Sequence, residues 1–88
     1  MGRDHVLEVI QDAFAKLFRE KKFALADKLV SDFANTGFPG WALLGAFAAS
    51  YEHRDKLPSR RKLHWQALTT ITKEHGSAEA NRVLSGLE

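Results

Sequence analysis

The sequence predicts an all-α fold, a compact bundle of four to five short helices in orthogonal packing. Three observations predict it. Apolar residues recur three and four positions apart along most of the chain, the spacing of one helical face. Alternating β-branched runs, the mark of strands, are missing, while alanine, leucine and lysine are abundant. Only two prolines interrupt the 88 residues, so little stands in the way of helix.

A first helix is expected from about residue 5 to 20, with Asp4 as its N-cap and Glu8 in the first turn, where the helix dipole favours a negative charge. Leu7, Ile10, Phe14 and Leu17 form its apolar stripe, widened by Val6, Ala13 and Phe18. Glu8, Asp12, Lys16, Arg19 and Glu20 occupy the other side. Continuing that phase would drive Lys21, Lys28 and Ser31 into the core. The apolar residues fall instead at Phe23, Ala26, Val30 and Phe33, so a break is expected near Lys21 and a second helix after it. Asn35-Thr36-Gly37 ends that helix, and Pro39 stands where the next would take its first residue.

The third helix, from about Pro39 to His53, begins in a stretch without charge, Phe38 to Ala49, in which apolar side chains point every way. A helix lacking a polar face is buried on most sides or seals an interface. Leu44, Phe47, Ala48 and Tyr51 are read as one face, with Leu43, Ala46 and Ala49 covering others. Gly45 costs about 1 kcal/mol in propensity relative to alanine, and close approach of a neighbouring helix over Gly45 and Ala49 is the expected compensation. Residues 55–58 read as a loop. Ser59 is the expected N-cap of a fourth helix running to about Glu74, with Leu63, Ala67, Leu68 and Ile71 inward. Gly76 closes it, and Ser77 opens a short fifth helix with Ala80, Val83, Leu84 and Leu87 inward. Leu29, Ser31 and Gly37 echo Leu68, Thr70 and Gly76, but three matched positions favour an ordinary bundle over a repeat.

A chain of this length feeds one core, so residues 1–88 are read as a single helical domain. Its composition, 44% hydrophobic and 27% charged, is that of a globular protein. It has no cysteine, which excludes disulfides and thiolate metal sites and fits an intracellular, cytoplasmic protein. Without cross-links it folds by packing alone or with a partner copy. The uncharged run from Phe38 to Tyr51 falls short of the ~20 residues of a membrane-spanning helix, and no leader pattern opens the chain. Met1-Gly2 and Leu87-Glu88 read as cloning remnants without functional weight.

Catalytic and ligand motifs do not emerge. The glycines at 37, 40 and 45 lack the preceding strand and following Lys-Ser/Thr of a phosphate loop. His64 and His75 share a helical face, yet eleven residues at ~1.5 Å each separate them by about 16 Å, too far for one metal. Asp27 and Asp32 are expected on the solvated side of the second helix, and no serine sits in a nucleophile motif. The chain is therefore read as a non-enzyme, with no catalytic residues, metal or cofactor. Trp41-x-x-Leu44-Gly45 matches the opening of a tetratricopeptide repeat, but Ala48 replaces its tyrosine and Pro58 falls inside its second helix, so that family is not carried over.

Charge is the one uneven feature. Residues 53–63 hold five cations and one anion, while the segments before and after each sum to −1, so the net +2 belongs to this stretch. Arg60, Arg61 and Lys62 fall in the first turn of the fourth helix, where the dipole disfavours cations by roughly 0.3–1 kcal/mol each. Stability alone would prefer acids there. The stretch reads either as a solvated loop neutralised by Glu52, Asp55 or a distant acid, or as an anion site with free helix N–H groups and with His64 and Trp65 near for stacking. Trp41 either staples the second and third helices with Phe38 or anchors a partner. No helix-turn-helix pattern supports sequence-specific DNA reading.

Two functions follow as expectations. The first is a non-enzymatic protein–protein interaction module, a regulator or adaptor that binds another protein or its own copy through apolar and basic surface. The alternative is binding of nucleic acid or another polyanion through the 54–62 segment. Arg54, Lys56, Arg60, Arg61, Lys62, Trp65 and Trp41 are the candidate binding residues. Contiguity of the basic segment with exposed aromatic rings would favour a true binding face.

Overall fold

The computed structural model describes residues 2–87; Met1 and Glu88, each half of a dipeptide read as a cloning remnant, lie outside the described residues. Five α-helices follow one another: α1 (Arg3–Arg19), α2 (Phe23–Asn35), α3 (Gly40–Ala49), α4 (Arg60–His75) and α5 (Ser77–Ser85), with a 3₁₀ segment, Tyr51–Lys56, between α3 and α4. No strand occurs among the described residues, and the architecture is an all-α bundle. All five helices feed one core, where Phe14, Val30, Leu43, Leu63, Ala67 and Ala80 are fully buried. Phe14 is its aromatic hub, with ring centroids 5.9 Å from Phe18 and 6.5 Å from Phe33.

The break after α1 is a left-handed turn made by a residue with a side chain. Lys21 has φ 55°, the one positive φ outside glycine among the described residues. Lys22 N–H donates to Leu17 O at 2.8 Å and Lys21 N–H to Phe18 O at 3.0 Å, the paired bonds that close a helix through a left-handed residue. The phase change near Lys21 is thus a true boundary. Glycines with positive φ follow α2 and α4 as well, Gly37 (φ 75°) and Gly76 (φ 95°).

The expected local side-chain caps are not formed, and the starts of α3 and α4 are met by side chains of other helices. Gly2, not Asp4, occupies the N-cap of α1, and Asp4 lies in the first turn. Ser59 sits at the start of α4 but in helical geometry, without capping it through its side chain. Instead its N–H and Oγ–H both donate to Asp27 of α2, at 2.8 and 2.9 Å. Asp27 is therefore not the solvated carboxylate expected; it ties α2 to the first turn of α4. Glu74, in the last turn of α4, accepts the Gly40 N–H at 3.3 Å and puts a negative charge at the start of α3.

Helix α3 is shorter than expected. It begins at Gly40, with Pro39 outside as N-cap, and ends at Ala49. Its buried side chains are Ala42, Leu43, Ala46 and Phe47, whereas Ala48 and Tyr51 are exposed. An all-apolar helix has no polar face to fix its phase, so spacing alone did not say which of its faces is buried. The close approach at Gly45 is present: a Cβ there would collide with Leu7 Cδ2 of α1. Ile71 of α4 crowds Gly40 in the same way, with its Cγ1 2.8 Å from where a Cβ would stand. Leu57, read as loop, is 2% exposed and anchors the connection to the core.

Candidate functional site

The basic segment is divided by the way α3 ends. Ser50, fully buried, places its hydroxyl 2.8 Å from Ala46 O and 3.2 Å from Phe47 O and accepts Arg60 Nε–H at 2.9 Å. Arg60 also donates to Phe47 O at 2.7 Å and lays its guanidinium over the Phe47 ring, 4.0 Å from the centroid. A cation on the last carbonyls of a helix is favoured by the dipole. The charge that is misplaced at the start of α4 is thus well placed at the end of α3. With Glu74 at the other end, antiparallel α4 holds α3 by both termini. Burial, and after it the nearby Arg54 charge, pushes the Arg60 guanidinium below its ordinary value.

Three of the N–H groups at the start of α4, expected to be open to a ligand, are engaged within the fold. Ser59 N–H goes to Asp27, Arg60 N–H to Leu57 O at 3.1 Å, and Arg61 N–H to Pro58 O at 3.4 Å.

Two open clefts flank this corner. One, of about 350 Å³, has Phe47 and Tyr51 with Arg54, Arg60, Arg61, His64 and Leu87 as its lining. The other, of about 570 Å³, is lined by Pro58, Arg61, Lys62, His64 and Trp65. Arg61 and His64 belong to both, so the two clefts form one continuous surface. Trp65 is 67% exposed, the most exposed large hydrophobic residue described, and Tyr51 is 37% exposed. Arg54 spans Tyr51, donating to its carbonyl at 3.1 Å and lying 4.0 Å over its ring. The basic segment is therefore contiguous with exposed aromatic rings.

Of the acids expected to neutralise it, Glu52 lies 3.8 Å from His53 Nε2 and borders a cleft with Arg54 without forming an ion pair to it, and Asp55 forms none with the described residues. Among the described residues, no carboxylate forms an ion pair with Arg54, Arg61 or Lys62.

Five of the seven candidate residues meet here, namely Arg54, Arg60, Arg61, Lys62 and Trp65. Lys56 does not line either cleft: its Nζ sits 5.0 Å from the Phe23 ring centroid, toward α2. Trp41 is on another face, half-buried under Arg3 at 5.3 Å. There it borders grooves with Leu44 and Val83, one of which reaches Leu7, Ala48 and Leu87. Phe38, at a ring distance of 4.7 Å from Phe33, makes the staple onto α2. Tyr51 is the site residue that sequence reasoning missed, because it was grouped with the apolar residues of one face of α3. In space its ring lies 4.0 Å from the Arg54 guanidinium and 5.8 Å from that of Arg60, a proximity that the residues next to position 51 do not announce.

Among the described residues no three His, Asp or Glu side chains converge to hold a metal ion, and no helix is long and apolar enough to cross a membrane. Compared with known proteins, the chain matches no family model, no curated protein and no solved structure.

Proposed function

We propose that this chain is a non-enzymatic interaction module that binds an acidic partner through the surface running from Tyr51 to Trp65. One observation carries the reading: Arg54, Arg61 and Lys62 have no carboxylate partner among the described residues and share their clefts with exposed rings. A solvated basic loop needs neither rings nor contiguity. Cations beside exposed aromatic area make a surface that gains both charge neutralisation and apolar burial when covered. The cysteine-free sequence supports an intracellular setting.

The test is retention on immobilised heparin, a polyanion without bases, at low salt. The wild type is expected to bind and to elute as salt rises. The double charge reversal Arg61→Glu/Lys62→Glu is expected to flow through with unchanged circular dichroism. Equal retention of both proteins would end the reading.

A second reading, self-association, is favoured by the groove between α1, α3 and α5, where Leu7, Leu44, Ala48, Val83 and Leu87 line an open apolar cleft. It expects sedimentation to show a dimer that Leu44→Lys disperses. A monomer at all concentrations would remove it.

A further inference from the structure

We propose, resting on the binding face just described, that the partner is single-stranded nucleic acid: bases stack on Trp65 and Tyr51 while Arg54, Arg61 and Lys62 pair with the phosphates.

The cations alone would suit any polyanion, so the rings decide. Trp65 follows Arg61 by four residues and Lys62 by three, which puts the three side chains on one face of α4, the ring one turn beyond the charges. Two-thirds of Trp65 is exposed although half-buried space exists on α4 at His64, Gln66 and Leu68. On the other side of the Arg61–His64 ridge, Tyr51 offers the second ring, with Arg54 held across it. Alternating cations and exposed rings along one surface match a strand whose phosphates and bases alternate along its own length.

A duplex fits this surface less well. Its bases stack on one another, so their faces are not offered to Trp65 or Tyr51. A helix that reads the major groove enters it with base-contacting side chains, whereas α4 is packed into the bundle through Leu63, Ala67 and Ile71 and has an indole projecting beside its cations. An acidic peptide would satisfy the charges and leave both rings uncovered unless it also carried apolar groups. The three cations set a quantitative expectation. With phosphate met by three side chains only, the logarithm of affinity should fall against the logarithm of salt with a slope of about −2, at roughly −0.7 per phosphate for a single strand.

Fluorescence polarisation with a labelled 12-nucleotide oligo-dT or oligo-U tests this, beside a duplex of equal length, a polyglutamate peptide and heparin as competitor. The single strand is expected to bind several-fold tighter than the duplex and to quench tryptophan emission. That quenching should vanish in Trp65→Phe if a stacked indole is its source and Trp41 is remote. Trp65→Ala should weaken the single strand about tenfold and heparin less than twofold; Arg61→Glu/Lys62→Glu should abolish both. A duplex bound as tightly as the single strand, or a Trp65→Ala variant with unchanged strand affinity, overturns the inference while heparin binding preserves the face. Polyglutamate outcompeting the strand in a Trp65-dependent way overturns it in favour of a protein partner. Failure of every polyanion to bind at low salt overturns both the inference and the face on which it rests.

Discussion

Arg60 and Arg61 are neighbours in the chain and opposites in the molecule. Arg60 turns into the seam between α3 and α4, where its two hydrogen bonds and its stacking on Phe47 finish α3. Arg61 turns outward with Lys62 into clefts beside Trp65, and neither has a carboxylate partner among the described residues. In the seam every charge is answered by a helix terminus: Asp27 by the start of α4, Glu74 by the start of α3, Arg60 by its end. On the outer surface the cations face one another and the rings. The same basic run therefore contains a residue that serves folding and residues that serve nothing in the fold. Only the second kind is free to meet a partner.

Arg60→Ala should break this comparison most visibly. It removes two charge-assisted bonds to the end of α3 and the guanidinium layer on Phe47, a loss of about 1.5–3 kcal/mol. For a domain of this size each kcal/mol shifts Tm by roughly 4–8 °C. Thermal denaturation should therefore show a fall of the order of 10 °C for Arg60→Ala, and less than about 0.5 kcal/mol for Arg61→Ala, as expected at an exposed position. Arg60→Met, which keeps the stem over Phe47 but not the bonds, should fall between. If Arg60→Ala and Arg61→Ala are equally stable, the distinction between seam and surface is wrong.

The acids of the seam come next. Asp27→Ala leaves the Ser59 N–H and hydroxyl at the start of α4 without their acceptor, and loss of such a cap costs about 1 kcal/mol. Glu74→Gln keeps an acceptor near Gly40 but removes the charge at the start of α3, at a cost of roughly 0.3–1 kcal/mol that shrinks in salt. Urea denaturation at low and high ionic strength separates the two. An Asp27→Ala variant as stable as the wild type would show that α4 starts without help from α2.

Helix number, the joints at Lys21, Gly37 and Gly76, and most core residues of α1, α2, α4 and α5 were legible because each rests on local pattern. Apolar spacing, a phase change or a glycine marks them within a few residues. The phase of α3 was not legible, because Phe38 to Ala49 contains no polar residue to say which side is out. The caps were misread for a related reason. Asp4 and Ser59 have the chemistry of local N-caps, but the acceptors and donors that finish α3 and α4 come from 32 to 34 residues away, at Asp27 and Glu74, and no local window contains them. At the candidate site the basic segment was visible as composition, and Trp65 was found beside it. What sequence could not do was sort its cations. That Arg60 is consumed, that Lys56 turns toward Phe23 and that Tyr51 joins the surface are consequences of tertiary placement.

The last effect, of opposite sign, is also the most discriminating. Arg61 and Lys62 occupy the first turn of α4, where the dipole opposes a cation, and they gain no ion pair in return. Replacing them by glutamate should stabilise the free protein slightly, by about 0.3–1 kcal/mol per residue at low salt. The same change should remove polyanion binding altogether. The opposite holds at Arg60, where Arg60→Glu would set an acid against the carbonyls that end α3 and unfold it. Paired denaturation and heparin-retention measurements on the two reversals thus separate charge kept for the fold from charge kept in spite of it. A destabilised Arg61→Glu/Lys62→Glu variant would mean that these cations hold the structure after all, and the outer surface would lose its claim to a separate purpose.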